Sequence, residues 1–345
     1  MYFLVSDLTQ TASRIIALSL TLLLACAFPA QAQTQAQTAK DSQSEESFLS
    51  RFLEDNLSGE NQAIKVTGLS GALSSEARIA QLTVSDQSGV WLIVSGAELD
   101  WNRLALLHGD FSVNRLTAER IEILRSPVPM PEDPELPSPE ASPFQLPELP
   151  VSVNLGEIAA KDIVLSAGVI GPSARLALTG RLKLETGQLA TTLSVERLDR
   201  PGDHLRLTAS YGAQEQNLAL DLSLIEAPGG LISSALSLPS SPSLELTLAG
   251  KGPINGFNAA LRFASNGQDR LAGGLRLAGS GPNLQGLTFS AELGGNIDPL
   301  LHPDYRPFFG PDLKLQFEGQ HSGSSGLSLQ KLDIQSRALN LAGAL

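Results

Sequence analysis

The chain has 345 residues, 42% hydrophobic and only 17% charged, with 24 basic side chains against 36 acidic ones. A net charge of −12 without a basic cluster argues against nucleic-acid binding and against polybasic docking on anionic lipid. The one cysteine, Cys26, leaves no intrachain disulfide or Cys-based zinc site, and the four histidines (His108, His204, His302, His321) are not spaced as paired ligands.

Residues 15–28, "IIALSLTLLLACAF", form a short apolar run behind Arg14. "PAQAQ" follows, and Ala30-Gln31-Ala32 fits a small-residue cleavage pattern. The run is short of the roughly 20 residues that span a bilayer. Residues 1–32 are therefore read as a cleaved signal peptide or an uncleaved signal-anchor. Lipoprotein processing at Cys26 is a third possibility. The Gln/Ala/Thr-rich stretch 33–44 is predicted to be a disordered linker. Residues 45–57 are predicted to form an amphipathic helix, with Phe48, Leu49, Phe52, Leu53 and Leu57 on one face. The acidic opposite face favours core packing over membrane-surface binding.

From 64 to 125 the pattern is strand, turn, strand. In "SDQSGVWLIVSGAELDW" (85–101), Val90, Leu92 and Val94 alternate against Trp91 and Ile93, so both faces are apolar. Such a strand requires cover on both sides. "NRLALLH" (102–108) reads as a two-turn helix closed by Gly109. "RIEILR" (120–125) alternates cleanly. Residues 126–150 are dense in proline, which excludes a helix or a central strand, and mark a boundary between a module at 45–125 and the remainder.

Beyond the boundary, residues 151–345 repeat strands with little else. Ten segments, from "RLALTGRLKLE" (175–185) to "LSLQKLDIQS" (327–336), carry period-two alternation separated by turn clusters such as "APGG" and "SNGQD". "LAGKGP" (248–253) recurs as "LAGSGP" (277–282), an offset of 29 residues. The closing "LNLAGAL" starts another such unit, so the repeat region reads as truncated at its C-terminus. The expected fold is mainly β: an elongated antiparallel sheet or rolled trough of meandering strands, with one or two short helices. One face of these strands is Leu, Ala, Val and Phe, the other Arg, Asp, Glu, Gln and Thr. With few helices available, the apolar face must meet a second sheet, itself, another protein or lipid.

No catalytic constellation stands out. "GKGPING" lacks the G-K-[ST] step of a phosphate loop, and "GQHSG" (319–323) places its serine wrongly for a nucleophile elbow. His302, with Asp304, Tyr305 and Arg306 between prolines, reads as a structured loop. The chain is expected to be non-enzymatic, without cofactor or metal.

Residues 69–125 carry G-x-L-S before Ile79, then L-T-V-x-D-x-x-G-x-W (82–91), Asp100-Trp101, a Leu-rich stretch, Gly109, Val113, Leu116 and I-E-I (121–123), followed by "SPFQLPELPVSV". This pattern resembles the N-terminal module of the TamB (translocation and assembly module) family in the AsmA-like superfamily. The likeness is specific there and looser over the later strands. The resemblance implies a periplasmic protein of a diderm bacterium, attached to the inner membrane, forming a taco-shaped β-sheet whose groove shelters phospholipid acyl chains. It also implies protein (autotransporter) secretion and outer-membrane lipid homeostasis with an Omp85-type outer-membrane barrel as partner, docked through a C-terminal region absent from this sequence. Nucleic acid is not an expected partner. Candidate groove residues are Trp91, Ile93, Leu99, Leu220, Leu246, Leu248, Phe263, Leu277 and Phe289. The rival reading is a secreted surface β-repeat protein or adhesin.

Overall fold

The computed structural model describes residues 54, 58, 62–71, 75–102, 110–128, 152–185, 187–212, 214, 216–280, 286–322 and 326–344. The helices expected at 45–57 and 102–108, the signal segment and most of the proline-rich stretch lie largely or wholly outside them.

Sixteen strands form one open sheet whose spatial order is the chain order. The first four are β1 (Ala63–Ser70), β2 (Glu76–Asp86), β3 (Gly89–Asn102) and β4 (Asp110–Ile123). Next come β5 (Ser152–Leu165), β6 (Ala174–Glu185), β7 (Gln188–Arg197), β8 (His204–Gly212) and β9 (Asn217–Glu226). The third group is β10 (Leu244–Pro253), β11 (Phe257–Ser265), β12 (Gln268–Ser280) and β13 (Gly286–Gly295). The last are β14 (Leu313–Ser322), β15 (Gly326–Gln335) and β16 (Asn340–Gly343). Two short helices, α1 (Leu231–Ala235) and α2 (Arg306–Phe309), lie in connections. Among the described residues, no helix is long and apolar enough to cross a membrane.

Every neighbouring pair is antiparallel except one. β4 and β5 run parallel, from Asp110 opposite Ser152 to Ile123 opposite Leu165. A parallel pair requires the chain to return to the opposite end of the sheet before re-entering. The stretch between β4 and β5 is long enough for that return, and its prolines disfavour a central strand. The antiparallel expectation is thus corrected at a single junction, the one where the domain boundary was drawn.

The sheet has two rims. Strands β4, β7 and β9 end at the first, together with the turns β2–β3, β5–β6, β11–β12 and β15–β16. The connections β3–β4, β6–β7, β8–β9 and β10–β11 lie along the second. Two connections on the first rim are long: residues 227–243, with α1, and 296–312, with α2, each 17 residues. They are four strands apart. Each leads into the same sequence, Pro-x-Leu-x-Leu-x-(Leu/Phe)-x-Gly, at 242–250 and 311–319, and Pro172–Gly180 is an earlier copy with Ala174 at the first apolar position. The structural unit is therefore a four-strand meander of about 70 residues, longer than the 29-residue echo, which marks the two-strand step within it.

The closing glycine of each copy lies under a neighbour. A Cβ on Gly180 would sit 2.9 Å from the Thr192 carbonyl oxygen, and one on Gly250 would sit 2.7 Å from Phe257 Cζ. A Cβ on Gly319 would collide with the Phe289 ring. These glycines let strands coil inward and let a large side chain lie across the backbone.

Solid cores gather at the N-terminal end. Ile64, Val66, Leu69, Leu82, Val84, Trp91 and Leu92 form one cluster across β1–β3. Trp101, Val113, Val153 and Leu155 form a second across β3–β5. Leu231 of α1 reaches back to Leu165 and Ala174 to make a third.

Candidate functional site: a continuous apolar face

Alternation assigns every strand an apolar face, and register decides whether these faces join. They do. Ala77 faces Leu99, Leu99 faces Leu116, Leu116 faces Ile158, and Ile158 faces Gly180. The row continues from Gly180 through Leu193, Leu207, Leu222, Leu248 and Leu261. It ends through Gly273, Leu293, Leu315, Ile334 and Leu341. Fifteen consecutive strands place Ala, Leu, Ile or Gly in one line, and at about 4.8 Å per strand the line runs roughly 65 Å. A parallel row holds Leu178, Val195, Leu205, Leu224, Leu246 and Phe263.

The other face is hydrophilic in the same register. Arg206 faces Ser194 and Ser223, and Thr247 faces Ser223 and Arg262. Cross-strand ion pairs stitch it: Arg120–Asp162 at 2.8 Å, Lys161–Glu119 at 2.6 Å and Arg262–Asp269 at 2.6 Å. The Glu119 carboxylate raises the Lys161 pKa, and the Asp269 and Glu245 carboxylates raise that of Arg262. This face is satisfied by water and by its own charges.

The apolar face is covered unevenly. Over β3–β5 it is sealed toward the second rim, with Val113 at 1% and Trp101 at 5% exposure, while Leu99, Leu116 and Ile158 beside them are half-buried. Over β6–β15 most of it is half-buried: from Leu271 to Gly279 on β12, half-buried positions alternate with exposed ones. Phe289 and Phe317 pack with ring centroids 6.2 Å apart, still on the open face. No second layer closes it among the described residues.

Of the nine candidate groove residues, seven lie on this face and stay half-buried: Leu99, Leu220, Leu246, Leu248, Phe263, Leu277 and Phe289. Trp91 reaches it by another route. A register shift between Val84 and Ser85 inserts an extra residue in β3, and a bulge of this kind re-aims a side chain. Trp91 consequently packs with Val84 and Leu92 in the N-terminal core at 6% exposure. Ile93 pairs with Thr83 and Glu122 and lies on the hydrophilic side. The two apolar faces read into 90–94 are thus one core face of Trp91, Leu92 and Val94, with Val90 exposed and Ile93 on the hydrophilic side.

One feature bordering this face escaped sequence reading: α1 and its anchor. Glu226, 5% exposed, accepts the backbone N–H groups of Ile232 and Ser233 at 2.7 and 2.8 Å. Asp203 accepts the Ala227 N–H at 2.8 Å, and Arg200 donates to the Pro228 and Gly229 carbonyls at 2.6 and 2.7 Å. Arg197, 8% exposed, is held bidentate by Asp199 at 3.1 and 2.5 Å. Arg197 in turn holds the Asp199 carboxyl down to about 2. The only hint was a charged residue, Glu226, in the apolar register of "LALDLSLIE".

No family model matches the chain, nor does any curated protein or solved structure.

Proposed function

We propose that this protein is a non-enzymatic, TamB-like envelope protein of a diderm bacterium, acting from the periplasm in association with the inner membrane. Its apolar sheet face carries phospholipid acyl chains toward the outer membrane, in partnership with an Omp85-type barrel, and this service extends to protein secretion there. The unbroken Leu/Ile/Ala/Gly row from Ala77 to Leu341 supports this reading.

Each methylene moved from water to an apolar surface gains about 0.8 kcal/mol, so a full acyl chain costs on the order of 10 kcal/mol to expose. A continuous apolar strip lowers that barrier at every step. Contacts made by Leu and Phe alone have no preferred position along the strip, which lets the cargo slide. The hydrophilic reverse face keeps the sheet solvated and one-sided.

The test is lipid capture. Protein purified without detergent should carry phospholipid detectable by mass spectrometry, and a photoreactive residue replacing Leu246 or Leu220 should crosslink it. The same residue replacing Thr247 or Asp221, on the reverse face, should not. Absence of crosslinks at Leu246 and Leu220 in lipid-loaded cells would sink the proposal.

A further inference from the structure

The chain must pass from the first rim, where β4 ends, to the second, where the parallel β5 begins. We infer that residues 129–151 make this passage across the apolar face, over β4 and β5. That proline-rich segment, outside the described residues, is then the occupant of the N-terminal part of the face. The inference does not depend on what the rest of the face carries. Under the lipid-groove reading, the unbroken strip left to an acyl chain runs from β6 to β15.

Length limits the routes. β4 and β5 are paired from Asp110 opposite Ser152 to Ile123 opposite Leu165, a rise of about 43 Å. From Val128 to Ser152 the chain covers about 74 Å at the roughly 3.1 Å per residue of a proline-rich strand. A route round the β1 edge, out four strand spacings and back five, takes about 85 Å. The outward N–H groups of that edge are also engaged already: Ile64 donates to Ser58 Oγ at 2.9 Å and Val66 to Glu54 Oε1 at 2.7 Å. The passage therefore crosses one of the two faces.

Handedness selects between them. Ile123 lies on the apolar face with Ile121, Leu82 and Val84, and its carbonyl accepts the Ser166 N–H at the end of β5 at 2.9 Å. Leu124, one residue on, donates to the Trp91 carbonyl of β3 at 2.9 Å. In a strand of L-residues running upward, a side chain facing the viewer has its own N–H and C=O to the right. Seen from the apolar face, β5 therefore lies to the right of an upward β4. β1 agrees, since it runs downward and the N–H groups of its apolar-face residues Ile64 and Val66 point left, off the sheet. A connection passing in front of two upward strands ordered left to right is right-handed, and one passing behind them is left-handed. About 98% of crossovers between parallel strands are right-handed, which selects the apolar face.

The point of departure and the surface agree with this choice. Arg125 continues the phase of Ile121 and Ile123, and Asp86 that of Leu82 and Val84, so their ion pair sits on the apolar side of the first rim. The Val128 N–H donates to the same Asp86 carboxylate at 2.8 Å, which turns the chain over that face. Along the way, Leu116 and Ile158 are half-buried. Eight of residues 129–151 are prolines, which have no N–H, so the segment can lie on apolar side chains while burying few unpaired donors. Phe144, Leu146 and Leu149 supply apolar side chains of its own. On the reverse face, Lys161 and Glu119 are paired and both well over half exposed, beside the Arg120–Asp162 pair. A crossing there would strip water from these charges.

The test uses the full chain with Cys26→Ser and two new cysteines, one in the segment (Ser138→Cys or Ser142→Cys) and one on the sheet. The sheet positions are Leu116→Cys or Ile158→Cys, neighbours on the apolar face, and Thr117→Cys or Ala159→Cys, neighbours on the reverse face. Dilute protein is oxidised and digested, and disulfide-linked peptides are read by mass spectrometry against the same variants oxidised in urea. Cysteines at 116 and 158 should link to the segment well above the urea level, and those at 117 and 159 should not exceed it. Two apolar-face positions are used so that one variant failing to fold, judged by circular dichroism, leaves the other to report. Linkage to 117 or 159, or to neither face above the urea level, overturns the inference. Lipid capture at Leu246 tests the groove reading separately and is not touched by either result.

Discussion

Arg125 grips Asp86 with both arms of its guanidinium, Nη1 to Oδ2 at 2.9 Å and Nη2 to Oδ1 at 2.5 Å. The same carboxylate accepts the N–H groups of Ser88 and Val128, both at 2.8 Å. One side chain thereby joins the β2–β3 turn to the chain leaving β4, where the ladder must break for the parallel junction. The guanidinium, then the Val128 N–H, hold the Asp86 carboxyl well below the usual carboxylate range. A depressed folded pKa means the stabilisation is present above the ordinary value of 3.8 and is lost as pH falls below it. Asp86→Asn should lower the hydrogen-exchange protection of Val128 at neutral pH to the level the parent shows only in acid. Unchanged exchange in the variant would refute the clamp.

Leu246 and Leu244 share a face two residues apart, but Leu244 is fully buried and Leu246 is half-buried. Leu246→Arg should leave strand content intact and lower stability by no more than about 1–2 kcal/mol, because its long stem can lie along the apolar surface with the charge in water. Lipid transfer between vesicles should nevertheless fall, since the charge interrupts the strip. Leu244→Arg buries an unpaired cation and should abolish folding. Circular dichroism and a transfer assay on both variants separate the two effects. A collapse of Leu246→Arg equal to that of Leu244→Arg would identify this face as an ordinary closed core.

The strands were legible because alternation is a local property: "RLAGGLRLAG" and "LALDLSLIE" announce β12 and β9 almost to the residue. β5 was not legible. Register shifts near Leu155–Ile158 and Ala160–Ile163 insert extra residues, so its apolar positions fall out of period two. The same effect hid the true direction of Trp91. The apolar row was only partly visible, because it depends on register across fifteen strands, which no single strand specifies. The parallel junction was invisible in principle: a proline-rich stretch states that no strand runs there, not at which end of the sheet the next one begins.

Gly319 accommodates the Phe289 ring on the apolar face, and Phe289 also packs on Phe317. A methyl at 319 collides with that ring and approaches the Ser328 carbonyl oxygen at 2.9 Å. Gly319→Ala should therefore destabilise by about 1–3 kcal/mol as an overpacking change. Adding Phe289→Leu should recover part of the loss, giving a favourable coupling in a double-mutant cycle. Additive losses would place the strain in the backbone instead of the ring.

The Arg197–Asp199 pair sets a second acid limit, ahead of the first. Arg197 lies on the apolar face and is nearly buried, so its charge depends on Asp199, with Asp203 farther off at 3.9 Å. Hydrogen bonds from Arg197 bring the Asp199 carboxyl from 3.8 to about 2. Its stabilisation is complete above the ordinary value and disappears as pH falls from about 4 to about 2, a contribution on the order of 1–2 kcal/mol at neutral pH. Asp86 is depressed further and should hold to lower pH. An acid titration followed by hydrogen exchange should release the α1 connection first and the Val128 region afterwards. Asp199→Asn should loosen the α1 connection at pH 7 and remove the first step, leaving the second in place. Release of both regions together in the parent protein would mean that the sheet unfolds as one unit and that neither carboxylate acts as a local latch.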